Sequence, residues 1–148
     1  MKIGFTGTRE GMTLRQRMTF ARLVTGLAGG WFNNHTEAFE FHHGCCVGAD
    51  GQAHHILEEV FGIEFVKIHL HPPSDQSLFL KLNGNTVYPR KPYLERNKDI
   101  VRASTLLIAT PKERYPALRS GTWSTIRYAR KCKVKCYVID PDGGCMDL

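Results

Sequence analysis

Lys2-Ile3-Gly4-Phe5-Thr6 passes directly into Gly7-Thr8-Arg9-Glu10-Gly11, and Thr13 follows with Gln16 three residues on. The short apolar run has the length and character of a buried strand, the glycine-bracketed charged segment that of a turn, and Thr-x-x-Gln that of a capping box opening a helix. The order strand, glycine turn, capped helix is the first half of a βαβ unit. It predicts an α/β protein whose mostly parallel sheet is covered on both faces.

The same alternation continues outward. Further strands are expected at Ala38 to His42, Glu64 to His69, Thr105 to Ala109 and Lys135 to Ile139, making about five with Lys2 to Thr6. The first helix carries an apolar stripe of Leu14, Met18, Ala21 and Leu27 or Ala28. The second runs from about Ala49 to Phe61, with Ala53, Ile56, Leu57 and Val60 on one side and Gly62 as its stop. Pro92 opens a third, with Leu94, Lys98 and Val101 along one face, and Thr122 to Lys131 forms a fourth. Two stretches lack a clear period: Gly29 to Thr36, read as a packed connection, and Leu70 to Lys91, whose length marks a functional or mobile loop.

Composition narrows the class. The 148 residues suit one domain, 1–148, and 42% hydrophobic with 23% charged residues excludes a disordered tail. Twenty Lys and Arg against 14 Asp and Glu leave a net charge of +6, which favours anionic partners. Five cysteines without a Cys-x-x-Cys pair read as reduced thiols, and the chain shows no long apolar leader or span. A cytoplasmic protein without membrane contact is expected.

Chemistry is concentrated in three glycine turns: Thr6 to Gly11, Gly44 to Gly51, and Arg119-Ser120-Gly121-Thr122. In a parallel sheet, turns before helices gather beyond the carboxyl ends of the strands, where open α/β folds bind ligands. Glycines let backbone N–H groups approach an oxyanion, and a helix N-terminus adds about half a positive charge. None of the turns has the spacing of a Walker A loop or of G-x-G-x-x-G, so the usual ATPase and NAD dehydrogenase readings fall away and no cofactor is expected.

Phe5-Thr6-Gly7-Thr8-Arg9, His42-His43-Gly44 with Val47-Gly48-Ala49-Asp50, His71-Pro72-Pro73, Glu95-Arg96-Asn97 and Arg119-Ser120-Gly121-Thr122-Trp123 together resemble the SLOG superfamily. That group includes DprA (Smf) proteins, LOG phosphoribohydrolases and YspA-like nucleotide-binding proteins. The resemblance implies a single Rossmann-like domain and a nucleotide or nucleotide-derived, signalling ligand in the cleft made by the turns. The ligand contacts it implies are Gly7, Thr8, Arg9, His43, Gly44, Gly48, Asp50, Arg96, Asn97, Arg119, Ser120, Gly121 and Thr122. In LOG enzymes a glutamate follows the G-G-x-G-T motif, and here Thr125 stands at that position. Threonine cannot ionise, so the resemblance implies a sensor, carrier or sequestering protein ahead of an N-glycosidic hydrolase, unless Glu95, Glu113 or Asp50 takes the role. A DprA-like DNA-binding module is the third reading.

Other residues have simpler expectations. Of the candidate pairs His42-His43, His54-His55 and His69-x-His71, adjacent histidines on a strand point to opposite faces and cannot share an ion, and without a carboxylate or Cys at ligand spacing no metal site is expected. Cys45 reads as a small residue in a tight loop and Trp123 as core, with Tyr88 and Tyr93 better placed to stack on a base. Arg127, Arg130 and Lys131 share a helical surface that suits either solvent or a nucleic-acid backbone. Trp31, Phe32, Phe39, Phe79 and Leu80 exceed what one small core needs, which predicts a homo-oligomer.

Overall fold

β1 (Lys2–Gly7) lies in the middle of the sheet, between β2 (Phe39–His43) and β5 (Leu106–Thr110), and is parallel to both. In the computed structural model, which describes residues 1–148, the chain continues outward on one side through β3 (Val66–Leu70) and β4 (Thr86–Val87). On the other side it continues through β6 (Lys135–Ile139) and β7 (Cys145–Asp147). The strand order is β4-β3-β2-β1-β5-β6-β7, and only β7 is antiparallel. Helices α1 (Leu14–Phe32) and α2 (Ala49–Val60) pack together on one face, and α3 (Tyr93–Ala103) and α4 (Gly121–Lys131) on the other. This is a Rossmann-like α/β fold, with its order reversing at β1.

Strand alternation divides the core into two layers. Ile3, Phe5, Phe39, Phe41, Val66, Ile68 and Leu70 point toward α1 and α2, where Phe5 meets Phe20 edge to face at 5.3 Å. Leu107, Ala109, Cys136 and Val138 point the other way, against Val101 of α3 and Trp123, Ile126 and Ala129 of α4.

The five expected strands are present within two residues of their predicted bounds, but the sheet has seven. β4 and β7, with two and three residues, are too short to carry a periodic pattern. The segment before β4 is well tied down: Asn85 Oδ1 accepts from Ile68 N at 2.8 Å, Leu80 N donates to Cys45 O, and the Cys45 thiol donates to Leu80 O.

The buried face of α1 is rotated from the expected stripe. Leu14 and Met18 are exposed, and Gln16, Phe20, Val24 and Ala28 form the inner row. The capping box holds, with Thr13 Oγ1 accepting from Gln16 N at 3.1 Å. The Gln16 amide is buried because its Nε2 donates to Pro111 O and Ile139 O. Nor does the helix stop at Gly29. It runs to Phe32, anchored by Trp31 Nε1 donating to Glu37 O and by Phe32 packing edge-on against Phe39 and Phe65. That tertiary anchoring outweighs a glycine cost of roughly 1 kcal/mol per position.

On α3, likewise, Leu94 and Lys98 face out while Arg96, Asn97, Ile100 and Val101 face in. α2 ends where Phe61 turns extended to pack on Phe39, not at a left-handed Gly62, and Val60 is exposed. Trp31, Phe32, Phe39 and Phe79 all pack in or against the first core layer, so their surplus is absorbed within one chain. No helix is long and apolar enough to cross a membrane.

Candidate ligand cleft

The loops leaving β1 and β5 run to helices on opposite faces of the sheet, which opens a crevice at their carboxyl ends. A cleft of about 360 Å³ occupies it. Its floor is Thr6 to Glu10 from the β1 turn, with Gly44, Cys46 and Asp50 from the β2–α2 turn. Its walls are Tyr93, Arg96 and Asn97 of α3, Lys112 and Glu113 after β5, and Arg119 to Thr122 at the start of α4.

The two floor turns are locked together. Thr8 O accepts from both Gly11 N and Ala49 N, and Thr8 N donates to Thr110 O. Gly48 has φ of +91°, and a Cβ there would overlap the Arg9 backbone, so only glycine allows this approach. A Cβ on Gly44 would strike the Arg96 guanidinium and the Asp50 carboxylate. α4 begins with Ser120 Oγ accepting from Trp123 N at 3.2 Å, and its first residues, Gly121 and Thr122, border the cleft. The positive end of that helix dipole therefore faces the cavity.

The cations differ in what they do. Arg96 is buried: its Nη1 donates to Gly44 O and to His71 O at 3.1 Å, its Nη2 reaches Cys46 Sγ at 3.3 Å, and its Nε reaches Tyr93 O at 3.4 Å. It ties α3 to two strand ends and presents little donor capacity to a ligand. Arg9 lies over the Tyr93 ring, with 4.8 Å from Cζ to the centroid, and Arg119 is exposed on the rim. Lys112, at the mouth, pairs with Glu10 at 2.7 Å, an exposed contact of small energetic weight.

Two carboxylates inside the cleft are unlike ordinary surface acids. Burial pushes the Asp50 carboxyl up to about 6, against the pull of Arg96 and of backbone N–H groups of Cys46 and Gly44. Glu113 carries a buried Oε2 without a hydrogen-bond partner, although its backbone carbonyl accepts from Trp123 Nε1.

Of the residues singled out from sequence, Gly7, Thr8, Arg9, Gly44, Asp50, Arg96, Asn97, Arg119, Ser120, Gly121 and Thr122 line this one cleft. His43 does not. It sits on the β2 face directed at α2, fully buried, with Nε2 against His54 Nδ1 at 2.9 Å and Nδ1 accepting from Cys45 N. Gly48 stands behind the floor, against Arg9. Thr125 is also outside the cleft, buried in α4 with Oγ1 donating to Gly121 O, and Glu95 is exposed beyond the cleft wall. Tyr93 is a wall residue, whereas Tyr88 stacks on His71 elsewhere. The Cys45 thiol is pushed up to about 11 by burial, which suits a packed loop residue and not a nucleophile. Glu113 is named from sequence only as a stand-in acid, and Lys112 not at all, because their turn has no glycine. The rule that ligands gather at strand carboxyl ends points to both, since only Pro111 separates them from Thr110 at the end of β5.

No protein-family model matches the chain, and no curated protein matches it. Among solved structures it is similar to the crystal structure of TM1055, a target of the Northeast Structural Genomics Consortium. The TM-score is 0.59 at 15% identity, covering 89% of this chain and 70% of that one. At such identity the likeness is one of fold.

Proposed function

We propose that the cleft binds a nucleotide or nucleotide-derived small molecule, in a cytoplasmic protein that senses, carries or sequesters it. One observation carries this reading: the N-terminus of α4, the β1 turn and the β2–α2 turn converge on a single cavity beside Arg9 and Arg119. Phosphate belongs at the α4 N-terminus, where Gly121, Thr122 and Arg119 provide donors and positive charge. Tyr93 provides an aromatic wall for a base. A volume of about 360 Å³ lies at the small end of ligand sites, which favours one nucleotide over a dinucleotide or a nucleic-acid strand. The SLOG resemblance supports the same assignment, and five free cysteines suit a reducing compartment.

Calorimetry with nucleoside mono-, di- and triphosphates tests it. A true ligand at 100 times its dissociation constant stabilises the folded state by about 2.7 kcal/mol, and Arg119→Ala weakens binding at least about tenfold without altering the stability of the free protein. Failure of every nucleotide to bind, or binding indifferent to Arg119→Ala and Arg9→Ala, overturns the assignment.

A second reading has its own observation. Asp50, titrating at about 6, and Glu113, with an unpartnered Oε2, put two acid–base groups in the cleft although Thr125 is not there. If the ligand is hydrolysed at its N-glycosidic bond, one of these supplies the acid or stabilises the oxocarbenium-like centre. Base release from nucleoside monophosphates that Glu113→Gln or Asp50→Asn abolishes would establish that activity. The DNA-binding reading has less behind it, because Arg127 uses its guanidinium on Ala117 O and Leu118 O.

A further inference from the structure

On the sheet face opposite the α1–α2 core, β2 and β3 bring together Glu40, His42 and His69. Glu40 and His42 share a face by strand alternation, and the parallel register sets His42 directly beside His69. We propose that Glu40 Oε2, His42 Nε2 and His69 Nε2 form a binding site for a first-row divalent ion such as Zn²⁺, separate from the ligand cleft. The three donor atoms lie within 4.8 Å of one another. Glu40 Oε2 is 3.0 Å from His42 Nε2 and 3.8 Å from His69 Nε2. Donors bound to one tetrahedral Zn²⁺ at 2.0–2.2 Å stand about 3.4 Å apart, so these spacings bracket the requirement.

The surroundings match what metal ligands need. His42 Nδ1 is 3.0 Å from His71 Nε2, and a proton held on Nδ1 and donated to His71 leaves the His42 Nε2 lone pair facing Glu40. The His42 and His69 rings are stacked, 14° from parallel at 4.4 Å, and Tyr88 covers His71 at 4.3 Å. Lys2 approaches the other oxygen of Glu40, Oε1, at 3.9 Å, leaving Oε2 for the imidazoles.

Without an ion the cluster is incompletely satisfied. A proton on His42 Nε2 serves Glu40, but His69 Nε2 is buried with no hydrogen-bond partner. A divalent cation at the centre takes the place of that proton and engages the orphaned nitrogen. Two neutral imidazoles and one carboxylate are a donor set for zinc and its neighbours, not for calcium or magnesium, which prefer all-oxygen shells. Glu40 is partly exposed while His42 is buried, so the ion has an entry path and a fourth position for water. Glu40 stands two residues before His42 and shares its strand face, so the expectation that no carboxylate stands at ligand spacing does not hold.

The test uses the full chain, stripped with a chelator and dialysed. Titration with Zn²⁺ against a chromogenic chelator is expected to show one equivalent bound. His69→Gln and Glu40→Gln, both at partly exposed positions, are each expected to weaken it about a hundredfold, with circular dichroism confirming the fold. Cys132→Ser/Cys145→Ser and Arg119→Ala should bind as the parent does, the last separating this site from the nucleotide cleft. Co²⁺ in place of zinc should give visible d–d bands without a thiolate charge-transfer band. Absence of binding, binding that persists in His69→Gln and Glu40→Gln, or a cobalt–thiolate band overturns the assignment.

Discussion

Replacing Arg96 by alanine should destabilise the protein before it affects any ligand. Arg96 is 5% exposed, and its Nη1 donates to the carbonyls of Gly44 and His71, the first residues beyond β2 and β3. Removing it leaves two backbone acceptors buried without that donor, at about 1–3 kcal/mol each, and opens a void where the stem packed. The expected loss is about 3–5 kcal/mol, a large part of the roughly 5–15 kcal/mol that holds a domain folded. With a urea slope of roughly 1–3 kcal/mol per molar, the unfolding midpoint should fall by on the order of 2 M. Arg96→Lys should lie between, since one ammonium cannot reproduce the planar reach to both carbonyls. Arg119→Ala, on the exposed rim, should stay within about 0.5 kcal/mol of the parent. An Arg96→Ala loss below about 1 kcal/mol would refute the view that this guanidinium joins α3 to the strand ends, and would return it to the ligand.

Two further outcomes follow from burial of ionisable groups. Asp50 titrates at about 6 in the folded protein against an ordinary 3.8, so the folded state holds its proton more tightly. Its stabilising contribution is complete below pH 3.8 and is lost as pH rises through 6. At about 1.4 kcal/mol per tenfold change in proton affinity, the stability of the parent relative to Asp50→Asn should fall by about 3 kcal/mol between pH 3.5 and 7, and a flat difference across that range would contradict it. Iodoacetamide on the native protein should label exposed Cys132 and Cys145 ahead of Cys45, Cys46 and Cys136. Burial covers those three thiols and pushes Cys45 to about 11 and Cys136 to about 12. Labelling of Cys45 as fast as Cys132, read by peptide mass spectrometry, would place it at an open site.

The alternation of apolar runs and capped helices was enough to place the five long strands, because β1, β5 and β6 are nearly continuous apolar or β-branched runs, while β2 and β3 keep Phe39 and Phe41, and Val66, Ile68 and Leu70, at alternate positions facing the core. It could not set the rotation of α1. An apolar count ranks Leu14 and Met18 above Gln16, yet Gln16 goes inside because Pro111 O and Ile139 O, from distant turns, accept its amide. The cleft was legible at its glycines for a related reason: a residue without a side chain advertises close backbone approach, as Gly44 does beneath Arg96. What an individual side chain does within the cleft was not. Arg9 and Arg96 are equivalent as letters, and only the folded chain decides that one lies over Tyr93 while the other is bound to two carbonyls.

The central position of β1 has a consequence for how the molecule is made. Thr105, at the entry to β5, exchanges hydrogen bonds with Lys2 across 103 positions of chain, so one edge of β1 has no partner until that length of chain has been synthesised. During that interval Ile3, Phe5 and the unpaired backbone beside them form an open strand edge, the kind of surface that nascent chains share with one another. Pairing over such separation also delays the rate-limiting step of folding. Yield in a cell should therefore respond to translation speed and to chaperone supply more than the stability of the finished fold would suggest.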